Sequence, residues 1–354
     1  MKILLISNLY PSKKYPHFGT FVKTFEDGLT SRGVEIEKIV MLKSDGYLKK
    51  LYFYFYFFLK VIIKCNFRHR DYDLIYVHYL NHSLIPFFFV NKNRIPLLVL
   101  NSHGSDIFPE NKFSRKLSKH TYRILKYATK IVVPSNYFKT QIREKFNIAE
   151  QKIYISPSGG VDLASFLPKE QPQDIFTVGF LSRIEKGKRW DIIIEAANVL
   201  KKQNFLFQIL IGGGGPDIEE MKQLIKALDL EKEISYLGPI PHKEVPEFFG
   251  KIDIFVFPSE RKGESLGLVA LESLAGGVPV ICFNNGAVKE FIIDGYNGFI
   301  YEENSPNVVA EKIVNFKNFT KQNQINLSSN AHLSAKKFSN EIISQKLLAM
   351  LKSL

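Results

Sequence analysis

Short apolar runs alternate with stretches of helical period from the first residues of the chain. Residues 2–7 (KILLIS) are too few for a helix and apolar enough to be buried on both faces, as a strand inside a parallel sheet must be. A loop carrying Pro11, Pro16 and Gly19 follows, then a helical pattern over 20–32 closed by Gly33, and a second strand over 34–42. Further strands fit 74–78, 96–102, 130–134 and 152–156, with helical stretches between them. That alternation implies parallel strands joined by crossover helices.

The pattern breaks at 168–174 (PKEQPQD), a polar, proline-bearing stretch with the composition of a linker. A second alternation then begins, with strands at 176–180, 207–212, 234–237, 254–257 and 278–283. Helices are expected at 190–203, 218–228, 245–250 and 267–275. The chain therefore reads as α/β, with two doubly wound units: residues 1–168, residues 169–338, and a last helical stretch in 339–354 that returns to the first unit. In such sheets ligands bind at the carboxyl ends of the strands, so the expected site is a cleft on which both units open.

Charge sharpens this division. The 354 residues carry a net charge of +13, but residues 1–170 hold 27 Lys and Arg against 13 Asp and Glu, and residues 171–354 hold 21 against 22. The basic half invites an anionic partner, and no nucleic-acid motif accompanies the charge. The two cysteines, Cys65 and Cys282, show no ligand spacing and point to a reducing compartment. The first residues do not read as a signal peptide, and no apolar stretch reaches the length that spans a bilayer. A cytoplasmic protein is expected.

The segment with the most chemistry runs from Pro258 to Glu272. A buried strand (IDIFVFPS) ends in a glycine-bearing turn that opens a helix at about Gly267, Leu268 and Val269. Unpaired N–H groups and the positive dipole end at such a start suit a diphosphate. Glu264, in the turn, is placed to accept hydrogen bonds from sugar hydroxyls, and Glu272, on the helix, to accept from ribose. Alone, each glutamate reads more readily as a solvated charge.

Their surroundings decide otherwise. Glu264, Gly267, Glu272 and Gly277-Val278-Pro279-Val280 stand in the register of the retaining glycosyltransferases of family 4, which have the two-domain GT-B fold; the segment resembles that family's two-glutamate signature. The resemblance extends over nearly the whole chain. Arg183, after Phe180-Leu181-Ser182, resembles the family's phosphate-binding arginine, and Lys188 or Lys186 its lysine. Ile211 to Pro216 matches a glycine-rich turn, and Ile234 to Pro239 the strand and loop that lie against the base. In the first half, Gly19 opens a helix where the family has a glycine beside the donor diphosphate. His103, in Asn101-Ser102-His103-Gly104-Ser105-Asp106, resembles the histidine that faces the transferred sugar. The resemblance thus implies Glu264, Arg183, Lys188 and His103 as catalytic, with Gly19, Glu272, Ser265, Leu266, Gly267, Leu268 and Val269 binding the donor. Three departures accompany it: Ser182 and Ser158 replace the usual Gly and Asn, and Ser265-Leu266 replaces Gly-Phe beside the sugar pocket.

The expected reaction moves a sugar from a UDP- or GDP-sugar to a saccharide or lipid-linked acceptor, with retention implied by the resemblance alone. Arg183, a lysine and the helix start would stabilise the leaving diphosphate. No Asp-x-Asp stands in a metal-binding context, so no metal or other cofactor is expected. An epimerase, a phosphorylase or a non-catalytic nucleotide-sugar binder are the competing readings. Residues 49–64 (KKLYFYFYFFLKVIIK) fit either a helix packed on the sheet or one lying on an anionic membrane surface.

Overall fold

Ile3, Leu4, Leu5 and Ile6 are all fully buried, which requires a layer of structure on each side of their strand. The computed structural model, which describes residues 1–15, 18–167 and 175–354, supplies both layers. It divides into two units, Met1–Gly160 with Asn340–Leu354, and Val161–Ser339.

Unit 1 contains β1 (Lys2–Tyr10), α1 (Thr20–Thr30), β2 (Glu35–Leu42), α2 (Tyr47–Phe67), β3 (Leu74–His78), β4 (Leu98–Asn101), α3 (Lys112–Thr121), β5 (Lys130–Val133), α4 (Asn136–Phe146) and β6 (Ile153–Ile155). The parallel strands lie in the order β2-β1-β3-β4-β5-β6. Alternate residues of β1 serve opposite faces, as a strand's period of two demands. Leu4 and Ile6 pack with Phe57, Val61 and Ile75, whereas Ile3 and Leu5 pack with Val22, Phe25 and Leu29 of α1.

Unit 2 contains β7 (Thr177–Leu181), α5 (Trp190–Lys202), β8 (Gln208–Gly212), α6 (Ile218–Ala227), β9 (Ile234–Gly238), α7 (Val245–Gly250), β10 (Ile254–Phe257), α8 (Leu268–Ala275), β11 (Val280–Phe283), β12 (Gly298–Tyr301), α9 (Pro306–Lys317) and α10 (Lys321–Ala335). Its parallel order is β12-β11-β10-β7-β8-β9. Val178, Ile209 and Ile254 face α5 and α9, and Leu181, Phe255 and Val280 face α7, α8 and α10. The final helix, α11 (Asn340–Lys352), belongs to unit 1: Leu347, Leu348 and Leu351 join Ile3, Val22 and Leu29 in one cluster.

The compositional boundary at 168/169 does not coincide with the division at Gly160/Val161, and residues 168–174 lie outside the described residues. The difference has a packing cause. Val161 donates its N–H to the Phe338 carbonyl at 2.9 Å, and the Phe166 ring lies 6.2 Å from that of Phe249, so both are built into unit 2.

Phe249 is fully buried beside Phe166, Phe248 and Phe255. Phe249→Ala should therefore lower unfolding free energy by about 3–5 kcal/mol in a urea titration, and a loss under about 1 kcal/mol would contradict this packing.

Candidate functional site

The order β12-β11-β10-β7-β8-β9 reverses direction between β7 and β10. The connections leaving the carboxyl ends of these two neighbours run to opposite sides, which opens a crevice at the sheet edge. Arg183, Glu185 and Lys188 follow β7, and the turn from Pro258 to Ser265 follows β10. The Glu260 N–H donates to the Gly187 carbonyl at 3.1 Å, fastening one turn to the other.

Two ionic clusters occupy this crevice. In the first, the Lys188 ammonium pairs with Glu264 Oε2, which also accepts from the Ser259 hydroxyl at 3.2 Å. The two side chains are only 11% and 21% exposed, so solvent screens their attraction weakly. Burial alone would raise the Glu264 carboxyl; Lys188, Arg261 and Ser259 outweigh it and hold the group below its ordinary value. Glu264 is therefore a carboxylate at neutral pH. In the second cluster Glu185 accepts from Arg261 and, at 3.2 Å, faces Arg183 Nε. Arg183 is 65% exposed, so its guanidinium reaches into solvent at the mouth of the crevice.

The two candidate lysines separate clearly. Lys188 meets Glu264, whereas Lys186 lies 3.7 Å from Glu220 and lines a groove of about 620 Å³ with Trp190, Glu195 and Leu224. Neither Glu264 nor Glu272 lines that groove.

Gly267 turns the chain into α8 at φ 74, and an added Cβ would lie 3.3 Å from the Phe257 ring. No side chain caps this helix, and the N–H groups of its first turn point toward the crevice end of the sheet. Leu268 and Val269 are half-buried there, but Leu266 is in the core with Ala270 and Leu271. Leu266 can thus offer a ligand its backbone, not its side chain. Ser265 is half-buried in the same turn. Glu272, 15% exposed, does not stand alone: its Oε1 lies 3.2 Å from His242 Nε2, a residue the sequence reading passed over. The hydrogen bond to Glu272 raises the His242 pKa against the opposing effect of burial.

Unit 1 has its own switch, between β1 and β3. Gly19 caps α1 at φ 78, with the Leu9 and Tyr10 backbone 2.7–2.9 Å from where a Cβ would stand. Pro16, named with it above, lies outside the described residues. His103 follows β4, is buried, and lies with its ring centroid 3.9 Å from that of Phe21, tilted by 32°. Its Nε2 is 2.8 Å from His78 Nδ1, and burial pushes its pKa down to about 3, so the imidazole is neutral. Asp106 accepts the His103 N–H at 3.0 Å and fixes the turn. His78 was also missed; its place at the end of β3, paired in register with Asn101, is the signal that would have found it. Both histidines, with Ser156 and Ser158, line a cavity of about 20 Å³.

Comparison with known proteins accounts for this arrangement. Residues 20–164 match the family described as Glycosyltransferase Family 4, and residues 165–332 match Glycosyl transferases group 1. The chain belongs to glycosyltransferase family 4. It is similar to an uncharacterized glycosyltransferase of Methanocaldococcus jannaschii, 29% identical over 95% of each chain. It is 27% identical to a GDP-mannose-dependent alpha-(1-6)-phosphatidylinositol monomannoside mannosyltransferase of Mycobacterium tuberculosis, over 51% of this chain and 50% of that one. Among solved structures, Anabaena HepE in complex with UDP and glucose covers 100% of both chains at TM-score 0.78 and 20% identity, a likeness of fold. The fold is GT-B, and the protein is a group 1 glycosyltransferase. No group of three or more His, Cys, Asp or Glu among the described residues is arranged to hold a metal ion.

The charged form of His242 is the one that pairs with Glu272. That contribution is complete below the ordinary histidine value of 6.5 and is lost as pH rises through the raised value. In an NMR titration His242 should titrate above 6.5, and Glu272→Gln should bring it down; a value at or below 6.5 that Glu272→Gln leaves unmoved would contradict the pair.

Proposed function

We propose that this glycosyltransferase moves a sugar from a nucleoside-diphosphate sugar to a hydroxyl acceptor, with retention at the anomeric carbon and without a metal. The observation that carries the reading is the Lys188–Glu264 pair beside Arg183 at the switch between β7 and β10. Arg183 presents a planar fork to the diphosphate, and Lys188 adds a nearly buried positive charge. The α8 start contributes aligned N–H groups for the same oxygens.

Glu264 has one oxygen, Oε2, engaged by Lys188 and Ser259; Oε1 is assigned to hydroxyls of the transferred sugar. Glu272 is assigned to the ribose, in exchange for His242. His103, neutral and held by Asp106, is assigned a hydrogen bond to the sugar. In the reaction the bond from the anomeric carbon to the diphosphate oxygen breaks, and its electron pair leaves with the diphosphate. The acceptor oxygen forms the new bond from the same face, and its proton passes to the departing diphosphate. Preorganised positive charge lowers this barrier because negative charge grows on the leaving group.

Two relatives bear on the substrates. The Mycobacterium tuberculosis enzyme is named for GDP-mannose and a phosphatidylinositol monomannoside, and a 24% identical Escherichia coli protein is named as a putative colanic acid biosynthesis glycosyltransferase. Both support a saccharide or lipid-linked acceptor in cell-surface glycan synthesis, with UDP- and GDP-sugars as the donors to try. The unit 1 charge suits an acceptor carrying phosphate.

The test is sugar transfer followed by mass spectrometry of the product, with UDP- and GDP-sugar donors. Glu264→Ala and Arg183→Ala should each reduce transfer by roughly 10²-fold or more, and EDTA should leave the wild-type rate unchanged. Variants that transfer as well as wild type would overturn the residue assignment. A product that forms equally without acceptor would favour an epimerase.

A further inference from the structure

Helix α2 is packed on one side only. Phe57, Val61 and Cys65 are buried in the core with Leu4, Ile6 and Ile75, while Leu48, Leu51, Tyr52, Phe55, Leu59 and Ile63 are exposed. These six recur at spacings that place them on one face, opposite the buried three. Nine of the 22 exposed large apolar side chains among the described residues sit on this single 21-residue helix. Singly exposed apolar residues are ordinary, but a contiguous stripe of this length marks a surface that something covers. Sequence alone left two readings of this helix, buried or interfacial. Its two faces meet one requirement each.

Charge identifies the cover. The helix carries lysines and no acidic residue. Lys64 is engaged by Glu37 at 2.7 Å, but Lys49, Lys50 and Lys60 are exposed. Lys60 lies 4.4 Å over the Tyr56 ring, and Tyr56 stacks on Tyr52, so an ammonium is held beside aromatic surface. Unit 1 holds 28 Lys and Arg against 12 Asp and Glu, a net +16, while unit 2 holds 20 against 23. Pairing this face with its copy in a second chain would bring two strongly positive surfaces together. An anionic bilayer instead offers acyl chain to the stripe, headgroup dipoles to the tyrosines and phosphate to the lysines.

We propose that the outward face of α2 is a membrane-docking surface that lies in the plane of an anionic bilayer. It inserts Phe55, Leu59 and their neighbours at the acyl boundary and sets Lys49 and Lys60, which flank the stripe, against lipid phosphates. No helix among the described residues is long and apolar enough to cross a membrane, so the contact is one of lying on the surface. This inference stands on unit 1 alone and is independent of the donor assignments in unit 2.

The experiment is co-sedimentation of the full chain with vesicles of phosphatidylcholine alone and of phosphatidylcholine with phosphatidylglycerol. Wild type should bind the anionic vesicles and lose binding as salt is raised. Phe55→Ser with Leu59→Ser should cut the bound fraction by roughly tenfold or more at unchanged melting temperature, since both side chains are exposed. Exchange of Lys49 and Lys60 for Gln should remove the preference for anionic lipid. Failure of wild type to bind anionic vesicles would overturn the proposal, as would a double variant that binds like wild type. So would a concentration-dependent dimer in ultracentrifugation that the double variant abolishes, because a second copy would then cover the stripe. Should the double variant fail to fold, Tyr52→Ser alone carries the same comparison.

Discussion

The reversal of strand order between β7 and β10 is the constraint on which the site depends. Neighbouring parallel strands whose connections leave in opposite directions cannot close the space beyond their carboxyl ends. Polar backbone and side chains from two distant segments are therefore delivered to one place. Lys188 and Glu264 are 76 positions apart in sequence and paired in space. The same geometry sets the burial of the pair: a loop in open solvent would leave Lys188 screened and its charge of little use to a ligand.

The pairings also balance the charges gathered in the crevice. An unpaired lysine at 11% side-chain exposure would be costly, and Glu264 removes that cost while keeping the ammonium in place. Glu185 does the same for Arg261 and partly for Arg183. Glu272 and His242 form a third such pair. Each carboxylate assigned to a sugar or ribose is thus oriented beforehand by a cation, which limits the ordering that binding would require. In the proposed reaction the diphosphate meets Arg183 and Lys188 while Glu264 keeps the ammonium in place.

Much of this was legible in the sequence. The ranges 74–78, 245–250 and 254–257 agree with β3, α7 and β10, because each is a short apolar run or pattern bounded by clear turn residues. Other elements were shifted by a few residues, and β12, α9 and α10 were not anticipated. The strand expected from 278 begins at Val280, since Val278 and Pro279 lead into it and proline has no N–H to give the ladder. Helix α10 left no readable signal: its few apolar residues fall on no single face, with Leu327, Ala331 and Ala335 buried but Ile325 and Leu333 exposed, so tertiary packing rather than amphipathic pattern makes it a helix. Among the candidate site residues, Glu264, Glu272 and Arg183 stood out through their flanking motif. Lys188, already carried among the catalytic candidates, and Lys186 differ in space: one turn of irregular chain sends the two side chains to Glu264 and Glu220. His78 and His242 escaped for a similar reason. Each matters through a partner far off in sequence, His103 or Glu272; the one local signal for His78 was its place at the end of the strand 74–78, and His242 had none.

The central claim is that a nucleoside diphosphate binds at the Lys188 end of unit 2. The most direct measurement is the melting temperature of the full chain with UDP, GDP and ADP and their sugars, for wild type, Lys188→Ala and Lys186→Ala. Ligand that binds the folded state raises apparent stability in proportion to the logarithm of its saturation. The account predicts a rise with at least one nucleotide that Lys188→Ala abolishes and Lys186→Ala preserves. No rise with any nucleotide, or a rise undiminished in Lys188→Ala, would contradict it.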